Sequence, residues 1–443
     1  MSHRRSRRPK PPPPPSPPPP APGERAAAFV LTAAIVASTL IVDVRAEAPF
    51  EAPQRFAATL GCAAAAALAF TRAARPGAAL RPAGRIAALL FAAALAAAGV
   101  SALLSPRSGA ALDSWRAMLL AALAVPLGSA LTDAGFRVAA IGFLGAAVVS
   151  SLLALAEAAG WRGPLPIESV SGRSATGAML GNEGLLSIVL AVAAIAALAA
   201  ALSARRPLER RLAGAALLPI AAALVVNRNL TSAVAAASGA AIVGFRLAGR
   251  RAIRVVAAAA LAAAAGVAAY GPARARVREA AGYLRAADWN RLLSYREGPW
   301  VAAIEMIRDR PLLGYGPGTF GAEFVPHRLA AEIRRRARFV NPRSDSAYVE
   351  AHCDYLQAAA EAGLPAAAAA AGGLGVLLAA LWRRTSAGPA PLRASALGLF
   401  AVLCAGAVSA LTWFPLQRPA SALPLLLATG RAWKVAGTGE DPA

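Results

Sequence analysis

Residues 184–202 read GLLSIVLAVAAIAALAAAL, an apolar run without a charged residue. A helix of this length rises about 30 Å, which matches the hydrocarbon core of a bilayer. The run therefore predicts a membrane-spanning helix. The whole chain agrees with this, because 57% of its 443 residues are hydrophobic and its mean hydropathy is +0.52. Such a composition excludes an ordinary soluble domain.

Apolar runs of similar length lie on both sides of this one. Together they predict an all-α, polytopic bundle of about 12 transmembrane spans. Spans 1–9 fall within residues 26–270 and spans 10–12 within residues 363–434. The predicted spans are 26–42, 56–71, 86–104, 117–131, 137–156, 184–202, 212–226, 231–248, 252–270, 364–382, 394–411 and 419–433.

The polar parts of the chain are two tails and one long loop. Residues 1–25 carry arginines and a proline-rich run, so they predict a disordered basic tail. Residues 435–443 form a second short tail. The run 26–42 is longer than the apolar part of a usual signal sequence, so the first helix is expected to stay uncleaved. Residues 271–362 form the one long polar loop.

The net charge of +23 comes from arginines grouped in short clusters between the apolar runs. These clusters lack interleaved aromatic residues, which disfavours a nucleic-acid partner. With a cytoplasmic N-terminus, all six inner connections are basic, whereas the outer ones are mixed or weakly charged. The positive-inside rule thus predicts cytoplasmic termini, and it places the loop 271–362 and the connection Thr412–Arg418 in the periplasm.

Three cysteines are spread over the chain. Cys62 and Cys404 fall in apolar spans and Cys353 falls in the loop. No two of them are spaced as a disulfide framework would require, so all three are predicted to be unpaired.

The loop contains the segment Ala351-His352-Cys353-Asp354-Tyr355-Leu356-Gln357. A helix is predicted from near Ser346 to Ala362, ending at Gly363. Helical spacing would place His352, Tyr355, Leu356 and Ala359 on one side. A titratable imidazole beside a membrane surface favours catalysis over packing.

A second helix is predicted from Trp300 to Pro311. Its apolar residues Ala303, Ile304 and Ile307 share one face, with Glu305, Arg308 and Asp309 pointing away, which favours a helix lying on the membrane. The glycine-rich stretch from Leu312 to Gly318 follows. Its backbone could approach a ligand, or it could simply be a turn.

Other polar groups of the loop allow further interpretations. His327 lies in a polar stretch between Pro326 and Arg328 and is expected to have no role in the chemistry. Asp345, Glu350, His352 and Asp354 could be metal ligands, but steps of two on a helix direct side chains apart, so metal-independent chemistry is favoured. The cluster Arg334–Arg336 with Arg338 predicts a solvated face or a basic patch for an anionic glycan or lipid headgroup.

Taken in order, these segments resemble the O-antigen ligase and polymerase superfamily. Residues 296–300 and 311–320 match its Arg-x-x-x-Trp and Pro-Leu-x-Gly-x-Gly-x-Gly-x-Phe patterns, and residues 351–365 match its histidine motif. Gly172-Arg173 with Gly177 and residues 181–182 resembles its loop between the fifth and sixth spans. Arg228 stands where the family carries Ser-Arg-Gly. The resemblance covers about residues 170–380.

The sequence departs from the family pattern at a few positions. Cys353 replaces Asn, Glu183-Gly184 replaces Pro-Asn, and Asn227 and Asn229 flank Arg228 in place of Ser and Gly. These departures bear on the substrate and the level of activity rather than on the class of reaction.

The resemblance implies a GT-C-like glycosyltransferase of the bacterial inner membrane. It would transfer a glycan from an undecaprenyl-diphosphate-type carrier to an acceptor hydroxyl at the periplasmic face, with inversion and without metal or cofactor. Two guanidinium groups would neutralise the leaving diphosphate, and one imidazole would act on the hydroxyl. The implied catalytic residues are His352, Arg228 and Arg296, and the implied substrate-binding residues are Arg173, Tyr355, Gly316 and Gly318.

The acceptor stays open at this point. It could be a lipid A-core oligosaccharide in a ligase, a growing chain in a polymerase, or a protein side chain in an oligosaccharyltransferase, and the ligase is the first choice. A different class is a transporter for lipid-linked sugars or a small anion. Transporters place polar groups within their spans, whereas here the polar chemistry is concentrated in the loop.

Overall fold

The computed structural model describes residues 22–70, 82–161, 176–204, 206–247, 250–339 and 348–437. Within these ranges every regular element is helical, which confirms the all-α prediction for this part of the chain. Arg173, Asp345 and residues 1–21 lie outside the described residues.

Ten α-helices come before the long loop in the described sequence. They are α1 (Pro22–Leu40), α2 (Glu51–Phe70), α3 (Pro82–Leu103), α4 (Ser108–Ala122), α5 (Ala124–Ala130), α6 (Asp133–Ala158), α7 (Glu183–Ser203), α8 (Pro207–Asn227), α9 (Leu230–Leu247) and α10 (Arg250–Ala269). Because α1 begins at Pro22, residues 22–25 belong to the first helix and not to the predicted tail.

The loop and the C-terminal part contain the remaining helices of the described chain. The loop holds α11 (Gly271–Arg285), α12 (Trp289–Leu292), α13 (Glu297–Asp309) and α14 (Phe320–Arg335). After it come α15 (Asp354–Arg384), α16 (Ala390–Ser409) and α17 (Pro419–Gly437).

Each predicted span lies within or overlaps one of the long helices. Among the described residues, 8 helical segments are long and apolar enough to cross a membrane. The helices α2, α8, α10 and α17 are not among these segments. The total of about 12 spans and the periplasmic side of the loop therefore stay predictions.

The run 184–202 forms α7, the central helix of the bundle. Its membrane-length window is 72% buried, against at most 50% for the other candidate spans. Leu186, Ile188 and Leu190 are fully buried. A helix that is apolar on all sides is stable only when other helices surround it, which explains its central place.

Protein covers part of the apolar face of α13, which the sequence predicted to lie on the membrane. Ala302, Ala303 and Met306 are buried against α14 and the start of α15. Glu305, which was expected to point away, is 3% exposed and bonds Arg308. The neighbouring loop helix covers this face before any lipid can.

The helix α15 consists of two segments that meet at Gly363, where φ is +85°. The Leu364 N–H donates to the Pro311 carbonyl oxygen at 2.8 Å, and a Cβ on Gly363 would lie 2.1 Å from the Leu312 carbonyl oxygen. The predicted break at Gly363 is confirmed. The predicted start near Ser346 is wrong, because α15 begins at Asp354.

Candidate active site

His352 lies in an irregular segment immediately before α15. Its backbone is left-handed, with φ +53°, and its carbonyl oxygen accepts a bond of 3.4 Å from Trp300 Nε1. The helical face predicted to join His352 with Tyr355, Leu356 and Ala359 is therefore wrong. A left-handed residue cannot continue a right-handed helix, so the imidazole takes its own direction.

Aromatic rings enclose the imidazole of His352. Its ring centroid lies 5.4 Å from that of Tyr348, 5.4 Å from that of Trp413 and 5.0 Å from that of Phe414, each in an edge-to-face arrangement. The Nδ1 atom is buried and makes no hydrogen bond within the described chain. A buried polar atom without a partner is uncommon and calls for an explanation.

Two arginines set the charge around this imidazole. Arg296 is 8% exposed, and its guanidinium carbon lies 4.8 Å from the centre of the Trp413 ring. Burial lowers the pKa of Arg296 to about 10, so it stays charged at neutral pH. Burial, and then the positive charges of Arg296 and Arg418, lower the pKa of His352 to about 3. The site thus holds a neutral imidazole beside fixed positive charge.

Arg228 comes to the same end of the bundle from the turn between α8 and α9. It caps α8 in the left-handed conformation, with φ +56°, and its Nη2 lies 3.7 Å from Glu183 Oε2. The next residue, Gly184, packs on Trp413, since a Cβ there would lie 1.8 Å from the indole. Arg228 is therefore connected to the imidazole indirectly. It contacts Glu183 at the start of α7, and the neighbouring Gly184 packs on Trp413, which contacts His352.

Trp413 is the common neighbour of two of the three predicted catalytic residues. Arg296 and His352 contact its ring, whereas Arg228 lies one contact further away. The hydroxyl oxygens of Thr412 and Thr231 are 2.6 Å apart and hold this connection to α9. Four separate segments of the chain thus meet at one indole.

Three departures from the family pattern have local structural roles. The Asn227 Oδ1 accepts a bond of 2.7 Å from the Thr176 hydroxyl. The Asn229 Oδ1 accepts a bond of 3.1 Å from the Ser232 N–H at the start of α9. Gly184 makes room for Trp413. These substitutions preserve the positions of the helix ends that carry the site.

The sequence reasoning missed Arg418, which lies between α16 and α17. Its side chain is 16% exposed and bonds both Glu51, at the start of α2, and Glu350. Its guanidinium carbon lies 5.3 Å from the centre of the Phe414 ring. Burial raises the pKa of Glu350 against the opposing charge of Arg418. The only sequence signal was the predicted periplasmic side of the short connection Thr412–Arg418.

A cavity of about 360 Å³ opens beside Arg418. Its walls include Phe50, Asn182 and Glu51, which come from the connection before α2, the cap of α7 and the start of α2. The cavity provides space for part of a bound molecule next to the half-buried Arg418.

A hydrogen-bond network attaches the connection between α16 and α17 to α15. The carboxylate of Asp354 accepts bonds of 3.0 Å from the Leu416 N–H and 3.1 Å from Gln417 Nε2. Gln357 Nε2 lies 3.0 Å from Glu361 Oε1 and 3.2 Å from Gln417 Oε1. These bonds hold Trp413 and Phe414 against the imidazole.

The alternative metal site gains no support from this geometry. Glu350 bonds Arg418, while Asp354 bonds residues 416 and 417, so the two carboxylates face different partners. No group of three His, Cys, Asp or Glu side chains within the described ranges is placed to hold a metal ion. Asp345 lies outside those ranges, and metal independence stays a prediction.

The predicted substrate-binding glycines contact other parts of the protein. The Gly316 N–H donates to the Glu361 carbonyl oxygen at 2.7 Å. A Cβ on Gly316 would lie 2.7 Å from Ser105 Oγ, and one on Gly318 would lie 2.1 Å from Ser114 Oγ. Close packing against α3 and α4 therefore accounts for both glycines, and ligand contact stays a prediction.

Tyr355 and His327 have partners within the protein. The Tyr355 hydroxyl donates to the Ala407 carbonyl oxygen at 2.9 Å, so substrate binding by this residue stays a prediction. His327 Nε2 lies 2.9 Å from the Tyr315 hydroxyl, and its Nδ1 lies 2.7 Å from the Glu323 carbonyl oxygen. Both ring nitrogens of His327 thus have partners within the protein. The three cysteines are free, which confirms that prediction.

Comparison with known proteins supports the resemblance found in the sequence. Residues 215–371 match the family model described as O-antigen ligase. This range contains Arg228, Arg296 and His352, whereas Arg173 and Arg418 lie outside it. The search of curated proteins found no match.

Proposed function

We propose that this chain, which carries the O-antigen ligase family domain over residues 215–371, transfers a glycan from an undecaprenyl-diphosphate-type carrier to an acceptor hydroxyl. The family supports a membrane glycosyltransferase of the ligase or polymerase type. The observation that carries the proposal is the buried, unpaired Nδ1 of His352 beside the buried cation of Arg296. We place the reaction at the periplasmic face of the inner membrane.

The proposed reaction is a single displacement with inversion at the anomeric carbon. The acceptor oxygen forms a bond to that carbon while the bond to the carrier diphosphate breaks. Arg296 and Arg228 stabilise the negative charge that develops on the diphosphate. His352 accepts the proton of the acceptor hydroxyl. The base and the positive charges used in these steps are side chains of this protein.

Burial of the imidazole is the main cause of the low pKa of His352. A base with a pKa of about 3 is weak at neutral pH. The positive charges of Arg296 and Arg418 contribute to this low value. A diphosphate bound to the arginines would offset that charge and raise the pKa of His352 towards its ordinary value. Donor binding would thus activate the base.

A ligase is our first choice, with lipid A-core oligosaccharide as the acceptor. Deletion in the native cell, followed by analysis of the surface glycans, tests this choice. Loss of capped lipid A-core with accumulation of carrier-linked polymer supports a ligase. Core bearing a single repeat points to a polymerase, and loss of glycan from proteins alone points to an oligosaccharyltransferase.

Complementation of the deletion strain tests the site. We expect His352→Ala, Arg228→Ala and Arg296→Ala each to lower transfer by about 10²-fold or more, because each removes a base or a charge used in the transition state. Surface glycan and the amount of protein in the membrane are both measured.

His327→Gln and Arg285→Gln are the matched controls. They change a histidine and an arginine of the same loop that lie away from Trp413, so we expect normal transfer. Normal transfer by all three site variants, present at normal level, would overturn the assignment of the site.

A further inference from the structure

The loop helix α14 exposes a stripe of apolar side chains. Val325, Leu329 and Ile333, spaced by four residues, are 39%, 45% and 80% exposed. On the opposite face Phe320 and Phe324 are fully buried against the rest of the loop. The helix therefore presents a second apolar face that no described part of the chain covers. Such a face normally binds a partner or a membrane.

The contacts of α14 place its first turn at a membrane boundary. Arg107 Nε lies 2.8 Å from Glu323 Oε1, and Arg107 stands in the short connection between α3 and α4. The helix α3, and α4 together with α5, are each long and apolar enough to span a bilayer. Leu312 and Leu313, in the turn before α14, are also exposed and meet the break of α15 at Gly363.

The C-terminal end of α14 adds positive charge to the stripe. Arg335, Arg336 and Arg338 are exposed. Arg334 differs from them, because it bonds the buried Glu305 at 2.7 Å. An apolar stripe flanked by arginines is typical of a helix in the interface of a bilayer with anionic lipids.

We propose that α14 lies in the headgroup region of the bilayer leaflet next to the active site. Val325, Leu329 and Ile333 insert between the lipids, and Arg335, Arg336 and Arg338 contact phosphates of anionic lipids. The apolar face of α13 is covered by protein, so α14 takes the membrane-surface position that the sequence favoured for α13. This inference does not depend on glycosyl transfer.

The experiment uses the full chain in nanodiscs of phosphatidylcholine with or without phosphatidylglycerol. Ile333→Cys carries an environment-sensitive fluorophore, and lipids with brominated tails serve as quenchers. Ala286→Cys, an exposed alanine at the end of α11, is the matched control. The unsubstituted chain measures labelling of Cys62, Cys353 and Cys404.

At position 333 we expect emission at shorter wavelength and quenching several-fold stronger than at position 286. Phosphatidylglycerol should strengthen the quenching, and exchange of Arg335, Arg336 and Arg338 to Gln should remove that increase. Arg334 is kept because it neutralises Glu305. Equal, water-like signals at positions 333 and 286 in both lipids would overturn the insertion. An unchanged phosphatidylglycerol effect in the arginine variant would overturn the headgroup contact.

Discussion

At the scale of single residues, Trp413 organises the site. Its ring contacts Arg296 and His352, and Gly184 packs against it. A cation–π contact contributes about 0.5–2 kcal/mol, enough to hold one orientation of a buried guanidinium. Trp413 is thus a positioning residue, acting through the groups on its surface.

We expect Trp413→Ala to lower transfer by about 10²-fold, because displacement of a catalytic group by about 1 Å has effects of this size. Trp413→Phe should restore most of this loss, since it keeps an aromatic face. Trp382, which contacts Arg246 instead, is the control, and Trp382→Phe should be neutral. Transfer and thermal unfolding are measured together. A folded Trp413→Ala protein with the normal rate contradicts the role.

The low pKa of His352 gives a second prediction at the scale of single residues. The pKa of about 3 in the free protein means that the imidazole is neutral throughout pH 5–8. The kcat/KM for the donor should therefore show no loss on the acid side of this range. If the donor raises the pKa, kcat should fall as the pH decreases, because the bound form becomes protonated first. Both profiles are measured with saturating acceptor, and identical acid limbs would contradict activation by the donor.

At the scale of elements, the break in α15 determines how the loop meets the bundle. Gly363 adopts a backbone conformation that side chains rarely occupy, and the turn at Leu312 fills the space beside it. The break divides α15 into two parts. The first part directly follows the segment with His352, and the second part forms a candidate membrane span.

Gly363→Ala should lower the free energy of unfolding by more than about 2 kcal/mol, because the new Cβ meets both backbone strain and the Leu312 carbonyl oxygen. Gly375→Ala, in the same helix with open space around it, should change that free energy by less than about 1 kcal/mol. Denaturation in detergent micelles measures both. Equal effects of the two substitutions would show that the close contact at Gly363 does not contribute.

At the scale of the whole molecule, Arg418 joins parts of the chain that are far apart in sequence. It connects Glu51 at the start of α2 with Glu350 in the segment before His352. These contacts hold the loop against the N-terminal and C-terminal helices. The site is therefore a property of the assembled bundle.

Arg418→Gln should lower the free energy of unfolding by about 2–3 kcal/mol. The effect is smaller than for a fully buried pair, because Glu51 is 36% exposed. Arg116→Gln, which breaks an exposed pair with Asp113, should cost less than about 1 kcal/mol. The double variant with Glu350→Gln should lose less than the sum of its single variants. A strictly additive double variant would contradict the coupling.

Much of the candidate site could be predicted because its residue types follow a recognisable order. The family match includes Arg228, Arg296 and His352, and a histidine beside an apolar span is visible in the sequence. Arg418 and Trp413 could not be predicted, since their partners lie in other segments. The burial of Glu305 was missed for the same reason, because helical periodicity does not show that Arg334 approaches from a second helix.

The sequence alone determined the helical membrane class and the positions of the long helices. A bilayer requires each crossing segment to be apolar over a set length, and such a requirement can be read locally. Only the tertiary structure decided that His352 precedes its helix, that α14 covers α13, and that aromatic rings and arginines from separate segments surround one imidazole. Those outcomes depend on which surfaces pack together, and local hydropathy and periodicity contain no measure of the distance between segments.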